Sequence, residues 1–134
     1  MSLDIQQRDR EGVAIIDLTG RLTVGDEVLR FRDRMQKLIE SGQRSIIINL
    51  AQVDYVDSTG LGTLVMCYTK LQRLNGKVGL LNLTRRSIEL LVMTKLTTIF
   101  EVFNDEQNAV NSFFPGREIQ RFDILNFVQQ QKEE

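Results

Sequence analysis

The chain has no histidine and no tryptophan, and only one cysteine and one proline among 134 residues. Without histidine it lacks the commonest general base and the commonest metal ligand. One cysteine, Cys67, permits neither an internal disulfide nor a cysteine-based metal site. With no adjacent cation to lower its pKa, it reads as a small packed residue rather than a reactive thiol. Apolar runs such as Leu90-Leu91-Val92-Met93 fall far short of the roughly 20 residues that span a bilayer. Met1-Ser2-Leu3-Asp4 has no basic region before an apolar stretch, so no signal peptide is expected. Seventeen basic residues against 18 acidic ones give a net charge of -1, which favours neither nucleic acid nor an anionic membrane as partner. The expectation is a soluble, cytoplasmic protein, long enough for one domain with a real core.

What is present is alternation of strand and helix patterns. Leu3 to Arg8 alternates weakly, Asp9 to Gly12 is a polar turn, and Val13 to Leu18 is β-rich, so the two runs predict an antiparallel hairpin. Gly20 to Gly25 breaks the pattern. Asp26 and Glu27 then open a helix with the acidic start its dipole favours. Its apolar face is Val28, Phe31, Met35, Leu38 and Ile39, and Ser41-Gly42 is a stop. Ile46 to Leu50 is apolar on both faces apart from Asn49, the mark of a central parallel strand. A helix from Ser58 carries Leu61, Leu64, Val65, Tyr68 and Leu71 on one stripe and ends near Asn75-Gly76. Val78 to Leu83 is the next strand, Thr84 caps a helix to about Met93, Ile99 to Phe103 is the last strand, and Asn104 or Asp105 caps a short helix to about Phe113. The fold class is therefore α/β with α+β character: a mixed sheet of about five strands, an N-terminal hairpin then parallel strands, with about four helices.

Pro115-Gly116 divides residues 1–114, the domain, from a helical extension over 115–134. All phenylalanines except Phe31 lie between Phe100 and Phe127. The extension reads as a helix packed on its own domain, or as an apolar face for a second copy and hence a homodimer.

The stretch Asp57-Ser58-Thr59-Gly60-Leu61-Gly62 sits where the central strand turns into a helix. A nucleophile elbow needs glycine two residues before the serine, where this chain has Val56, and no histidine is available to activate Ser58. No glycine-rich loop ends in Lys-Ser/Thr, and no G-x-G-x-x-G follows a strand. Two readings of Ser58 remain open: a plain N-cap, or an acceptor of phosphate. Glycine inside a helix costs about 0.5–1 kcal/mol relative to alanine. Gly60 and Gly62 therefore imply a close approach, by the domain's own strand ends or by a partner. Met66, near Gly62 on the helix, is a scattered surface methionine or an adaptable contact.

These residues resemble a known family. The Asp57–Gly62 motif, preceded by Ile46 to Leu50 and supported by Leu18-Thr19-Gly20-Arg21-Leu22 and Leu80-Leu81-Asn82-Leu83, is similar to that of STAS domains of the bacterial anti-sigma factor antagonist group. The resemblance covers about Leu3 to Phe113. It implies a STAS fold and a non-enzymatic switch in protein partnership. The unphosphorylated antagonist binds an anti-sigma factor, often a serine kinase, and frees a sigma factor. The kinase phosphorylates the residue matching Ser58, with Thr59 the neighbouring alternative, and a serine phosphatase resets the switch. No cofactor of its own is implied. Asp57 is expected to shape the loop, Gly60 and Gly62 to allow close approach, and Thr63, Met66 and the turn from Thr23 to Asp26 to form the partner face. Many members carry an acidic residue where this chain has Thr23, with Asp26 three positions on. The competing readings are a constitutive scaffold or adaptor unrelated to sigma factors, and a small-ligand or nucleotide-binding domain.

Overall fold

A computed structural model describes residues 3–124 and 126–128. Its elements are β1 (Leu3–Arg10), β2 (Val13–Leu22), α1 (Asp26–Glu40), β3 (Ser45–Val56), α2 (Ser58–Arg73), β4 (Lys77–Leu81), α3 (Arg85–Met93), β5 (Glu101–Phe103) and α4 (Glu106–Asn111). The strands form one sheet in the order β1-β2-β3-β4-β5. β1 and β2 are antiparallel and every later pair is parallel. Each parallel connection passes through a helix, as the crossover rule requires.

Alternation along the strands sorts the side chains to two faces. Ala14, Ile16, Ile46, Ile48, Val78 and Leu80 pack with Phe31 and Met35 of α1, Leu64 and Leu71 of α2, and Ile88 and Leu91 of α3. Val13, Ile15, Ile47, Leu81 and Phe103 pack on the other face against Ala109 and Val110 of α4. The five positions assigned to the apolar face of α1 are its five buried residues. Cys67 is fully buried, and burial pushes its thiol up to about 12, so it is not nucleophilic at neutral pH.

Two strands run further than their composition suggests. β2 continues through Gly20 to Leu22 and β3 through Val56. These tails pair with each other, Arg21 with Tyr55 and Leu22 with Val56, across two register shifts. The consequence is that the ends of β2 and β3 arrive side by side at the start of α2.

The C-terminal extension differs from the helix expected over 115–134. Residues 117–123 have no regular secondary structure, and helical geometry is described only at 124 and 126–128. The rest of that expectation lies outside the described residues. The segment runs along the free edge of β5. Phe122 donates its backbone N–H to Val102 O at 2.8 Å, Arg121 pairs with Glu101 at 2.6 Å, and Arg117 pairs with Glu11 at 2.9 Å. Ile124 is 7 % exposed within the main core, and Phe122, Phe127 and Val128 pack against that core. These apolar side chains pack against their own domain.

A polar cluster ties α4 to the hairpin. Arg8 bonds Asp17 at 2.6 Å and Glu106 at 2.5 Å, Arg10 bonds Glu106 at 2.5 Å, and Asn49 donates to Asp17 at 2.8 Å. Asn49, the one polar residue in the central apolar run, is thus accounted for. The Arg8 hydrogen bond holds the Glu106 carboxyl down at about 2, against an opposing effect of burial. Burial pushes Asp17 up, but hydrogen bonds from Arg8 and Asn49 outweigh it and leave that carboxyl below its ordinary value. A carboxylate depressed in the fold stabilises it while ionised. The contribution is complete above the ordinary carboxylate value and disappears as pH falls through the folded one. The urea midpoint is therefore expected to drop from about pH 5 to below pH 2, and Arg8→Ala to flatten that drop while lowering the midpoint at neutral pH. An acid profile unchanged by Arg8→Ala would show that other groups govern it.

Candidate functional site

The site is built where β3 ends and α2 begins. Val56 is the last strand residue and points into the core. Asp57 follows in extended geometry, with φ -91° and ψ -177°. Its backbone N–H donates to Leu22 O at 3.3 Å, and its carbonyl accepts the Leu61 N–H at 2.9 Å. One carboxylate oxygen accepts the Gly60 N–H at 2.8 Å and the other accepts the Val24 N–H at 2.8 Å. Asp57, not Ser58, is therefore the N-cap of α2. Aspartate and serine are about equally good caps. Here the carboxylate wins because its second oxygen also satisfies an amide on the neighbouring turn.

This places Ser58 as the first helical residue, exposed to solvent, with its hydroxyl held by no hydrogen bond among the described residues. Thr59 is exposed beside it, and its carbonyl accepts the Thr63 hydroxyl at 3.0 Å. Thr63, expected on the partner face, is instead 6 % exposed and faces the interior. Its hydroxyl bond among the described residues turns back onto its own helix, and it offers little surface to a partner.

The two glycines separate. A Cβ built on Gly60 meets Leu22 O at 2.1 Å and Leu22 C at 3.0 Å, so α2 starts against the backbone at the end of β2. A Cβ on Gly62 meets nothing within 4 Å, and the residue is exposed. Gly60 thus serves the domain's own packing, while Gly62 leaves a bare notch of helix backbone one turn from Ser58.

Thr23 is half-buried, and its carbonyl accepts the Val28 N–H at 3.3 Å. Asp26 is exposed in the first turn of α1. The Val24 bond brings this turn against the Asp57–Gly60 segment. Met66, two turns along α2 from Ser58, is half-buried against the core. Within the Thr23 to Asp26 turn the most exposed apolar side chain is Val24, at 67 %. Sequence reasoning passed over Leu29 at 56 % exposure and Tyr55 at 43 %, with the Arg86 guanidinium 5.5 Å from its ring. The one signal was apolar residues at positions that neither a core strand nor a core helix face requires.

Chemically, the arrangement presents a free hydroxyl at the positive end of a helix. The nearest carboxylate is engaged by two amides and is not placed to act as a base. A phosphate on Ser58 is favoured by the helix end and opposed by Asp57. Since the cap is on Asp57, modifying Ser58 removes no capping bond.

The family model described as STAS domain matches residues 4–109. The anti-sigma F factor antagonist of Paenibacillus polymyxa is 28% identical over 113 residues, covering 82% of this chain and 94% of that protein. The anti-sigma-B factor antagonist of Bacillus subtilis (strain 168) is 27% identical over 110 residues, covering 82% and 99%. Among solved structures, the anti-sigma factor antagonist SpoIIAA in its unphosphorylated form superposes with a TM-score of 0.66 at 22% identity, over 84% of this chain and 99% of that one. The Bacillus cell fate determinant SpoIIAA in its phosphorylated form gives 0.66 at 21% identity, over 82% and 99%. At those identities the likeness is one of fold. No helix among the described residues is long and apolar enough to cross a membrane.

Proposed function

The chain belongs to the STAS domain family, and from that premise we propose that it is an anti-sigma factor antagonist whose partnership is switched by phosphorylation of Ser58. Unmodified, it binds an anti-sigma factor that is itself a serine kinase. Phosphorylated, it releases that partner, and a serine phosphatase returns it to the binding form. It acts in the cytoplasm as substrate and binding module, not as an enzyme, with no cofactor of its own.

The observation that carries this reading is the free Ser58 hydroxyl beside a cap that Ser58 does not provide. A phosphate adds about -1.5 to -2 charges. At this position it alters the docking surface and leaves the fold in place, which is what a reversible switch of binding requires. The scaffold reading assigned Ser58 the cap, which Asp57 provides instead. Thr59 is also exposed, with its hydroxyl likewise unbonded among the described residues, and it lies one residue further into the helix. The partner face then comprises Ser58, Thr59, Gly62 and the Thr23 to Asp26 turn, with Met66 at its margin. Asp57 and Gly60 shape it from beneath.

The test is peptide mass spectrometry after incubation with ATP and serine kinases from the same genome, joined to affinity measurements. One phosphate on Ser58 is expected, abolished in Ser58→Ala while that variant still binds the kinase. Ser58→Asp should bind at least roughly tenfold more weakly, although one carboxylate carries less charge than phosphate. Wild-type affinity in Ser58→Asp, or phosphate found elsewhere, defeats the reading.

A further inference from the structure

Asp57 fastens two segments at once. One oxygen caps α2 through Gly60, and the other crosses to the Val24 amide, 33 positions back in the chain, both at 2.8 Å. The turn before α1 has little else of this kind. Its N-cap is Gly25, at φ 118°, with no side-chain cap bond. The turn presents Val24, 67 % exposed, and one turn further on is Leu29, 56 % exposed, whose N–H donates to Gly25 O at 3.2 Å. Arg30 reaches back to Leu3 O at 2.6 Å on the β1 side. Leu29, about 100° round the helix from Arg30, is turned outward from that contact. The core of the domain requires neither apolar side chain.

We propose that Val24 and Leu29, set in place by the Asp57 clip, are the apolar anchor that holds the serine kinase acting on Ser58. The inference rests on the reading of Ser58 given above and adds to it how the surface is recognised and released. A kinase that reaches the Ser58 hydroxyl must cover its surroundings. A standard interface takes roughly 800 Å² from each partner, and a patch of that size centred on Ser58 includes a turn bonded to the very next residue. Within such a patch, a few desolvated side chains carry most of the affinity. Phosphate on Ser58 stands beside the Asp57 carboxylate, repels it, and competes for the same helix-start amides. Asp57 drawn away from Val24 frees the turn. Modification therefore charges the centre of the interface and loosens its anchor together.

Val24→Ser and Leu29→Ser, singly and combined in the full chain, are compared with wild type for thermal stability and for affinity to the kinase. Unchanged melting with at least a tenfold loss of affinity in the double variant is the expected result. Affinity within twofold of wild type overturns the anchor. If unmodified wild type binds no kinase at all, the Ser58 reading and this one fail together, whereas failure of the anchor alone leaves wild-type binding and Ser58 phosphorylation intact. The clip is tested without any kinase by amide hydrogen exchange on chain synthesised with phosphoserine at position 58. Val24 exchange is expected to quicken at least tenfold while β3 stays protected. Asp57→Asn, which leaves a single acceptor oxygen for the Gly60 and Val24 amides, should weaken the clip and quicken Val24 exchange without phosphate. Val24 exchange unaltered by the phosphoserine overturns release through the clip.

Discussion

Gly60→Ala is expected to unfold much of the population at denaturant concentrations that wild type withstands, while Gly62→Ala, two residues on, leaves the fold as stable or slightly more so. The added methyl at position 60 falls 2.1 Å from Leu22 O. That atom is backbone at the end of β2, so no rotamer change relieves the contact. α2 would have to lift from the sheet, straining the Asp57 N–H bond to Leu22 O and the Asp57 clip on Val24. Overpacking ordinarily costs about 1–3 kcal/mol, and a clash with fixed backbone belongs at the top of that range or beyond it, about 3 kcal/mol or more. At position 62 the methyl meets open space, and replacing a helical glycine by alanine gains about 0.5–1 kcal/mol. Urea midpoints of the two variants decide the matter. Equal midpoints would mean that α2 does not start against β2 as described. If Gly62 is a contact for the kinase, its alanine variant will be well folded yet bind poorly, a combination that Gly60→Ala cannot give.

The contrast between the two glycines marks the limit of what the sequence makes legible. The Asp57–Gly62 motif signals a close approach at the helix start but not which glycine meets which surface, because the Leu22 carbonyl lies 38 positions away in the chain. The apolar face of α1 was readable residue by residue, since it depends only on a 3.6-residue period. So were the cap at Thr84 and the left-handed Asn75 after α2, whose partners lie within a few residues, while the cap of α4, open between Asn104 and Asp105, is Asp105. Where a local choice hangs on a distant partner, local reasoning misplaces it. Ser58 and Asp57 are equivalent as caps until the Val24 amide arrives from another turn. Gly20 and Arg21 look like the end of a strand until the tail of β3 pairs with them. Thr63 looks like surface until the packing of α2 on the domain leaves it buried. The segment after Pro115 has mixed helical spacing, and only the edge of β5 shows that Phe122 belongs to an extended run.

That segment also carries the second large expectation: a chain ending at Gly116 will be less stable and will self-associate. Deleting residues 117–134 exposes the part of the core that Ile124 covers and the free backbone edge of β5. Burying an isoleucine is worth roughly 1.5–3 kcal/mol, with smaller gains from half-buried Phe122 and Phe127. The expected loss is about 1–3 kcal/mol, or a melting temperature lower by roughly 5–15 °C. The change in solution behaviour is larger. β5 has three residues and lies at the edge of the sheet, so the truncated chain offers an unpaired edge beside newly exposed apolar surface. Light scattering across a concentration series is expected to show monomer for the full chain and growing assemblies for the shorter one. Ile124→Asp, which keeps the length and removes the apolar attachment, should behave like the truncation. A truncated chain that stays monomeric and melts with wild type would mean that the segment does not hold the β5 edge in solution. The domain would then end near Phe114, as its sequence first suggests.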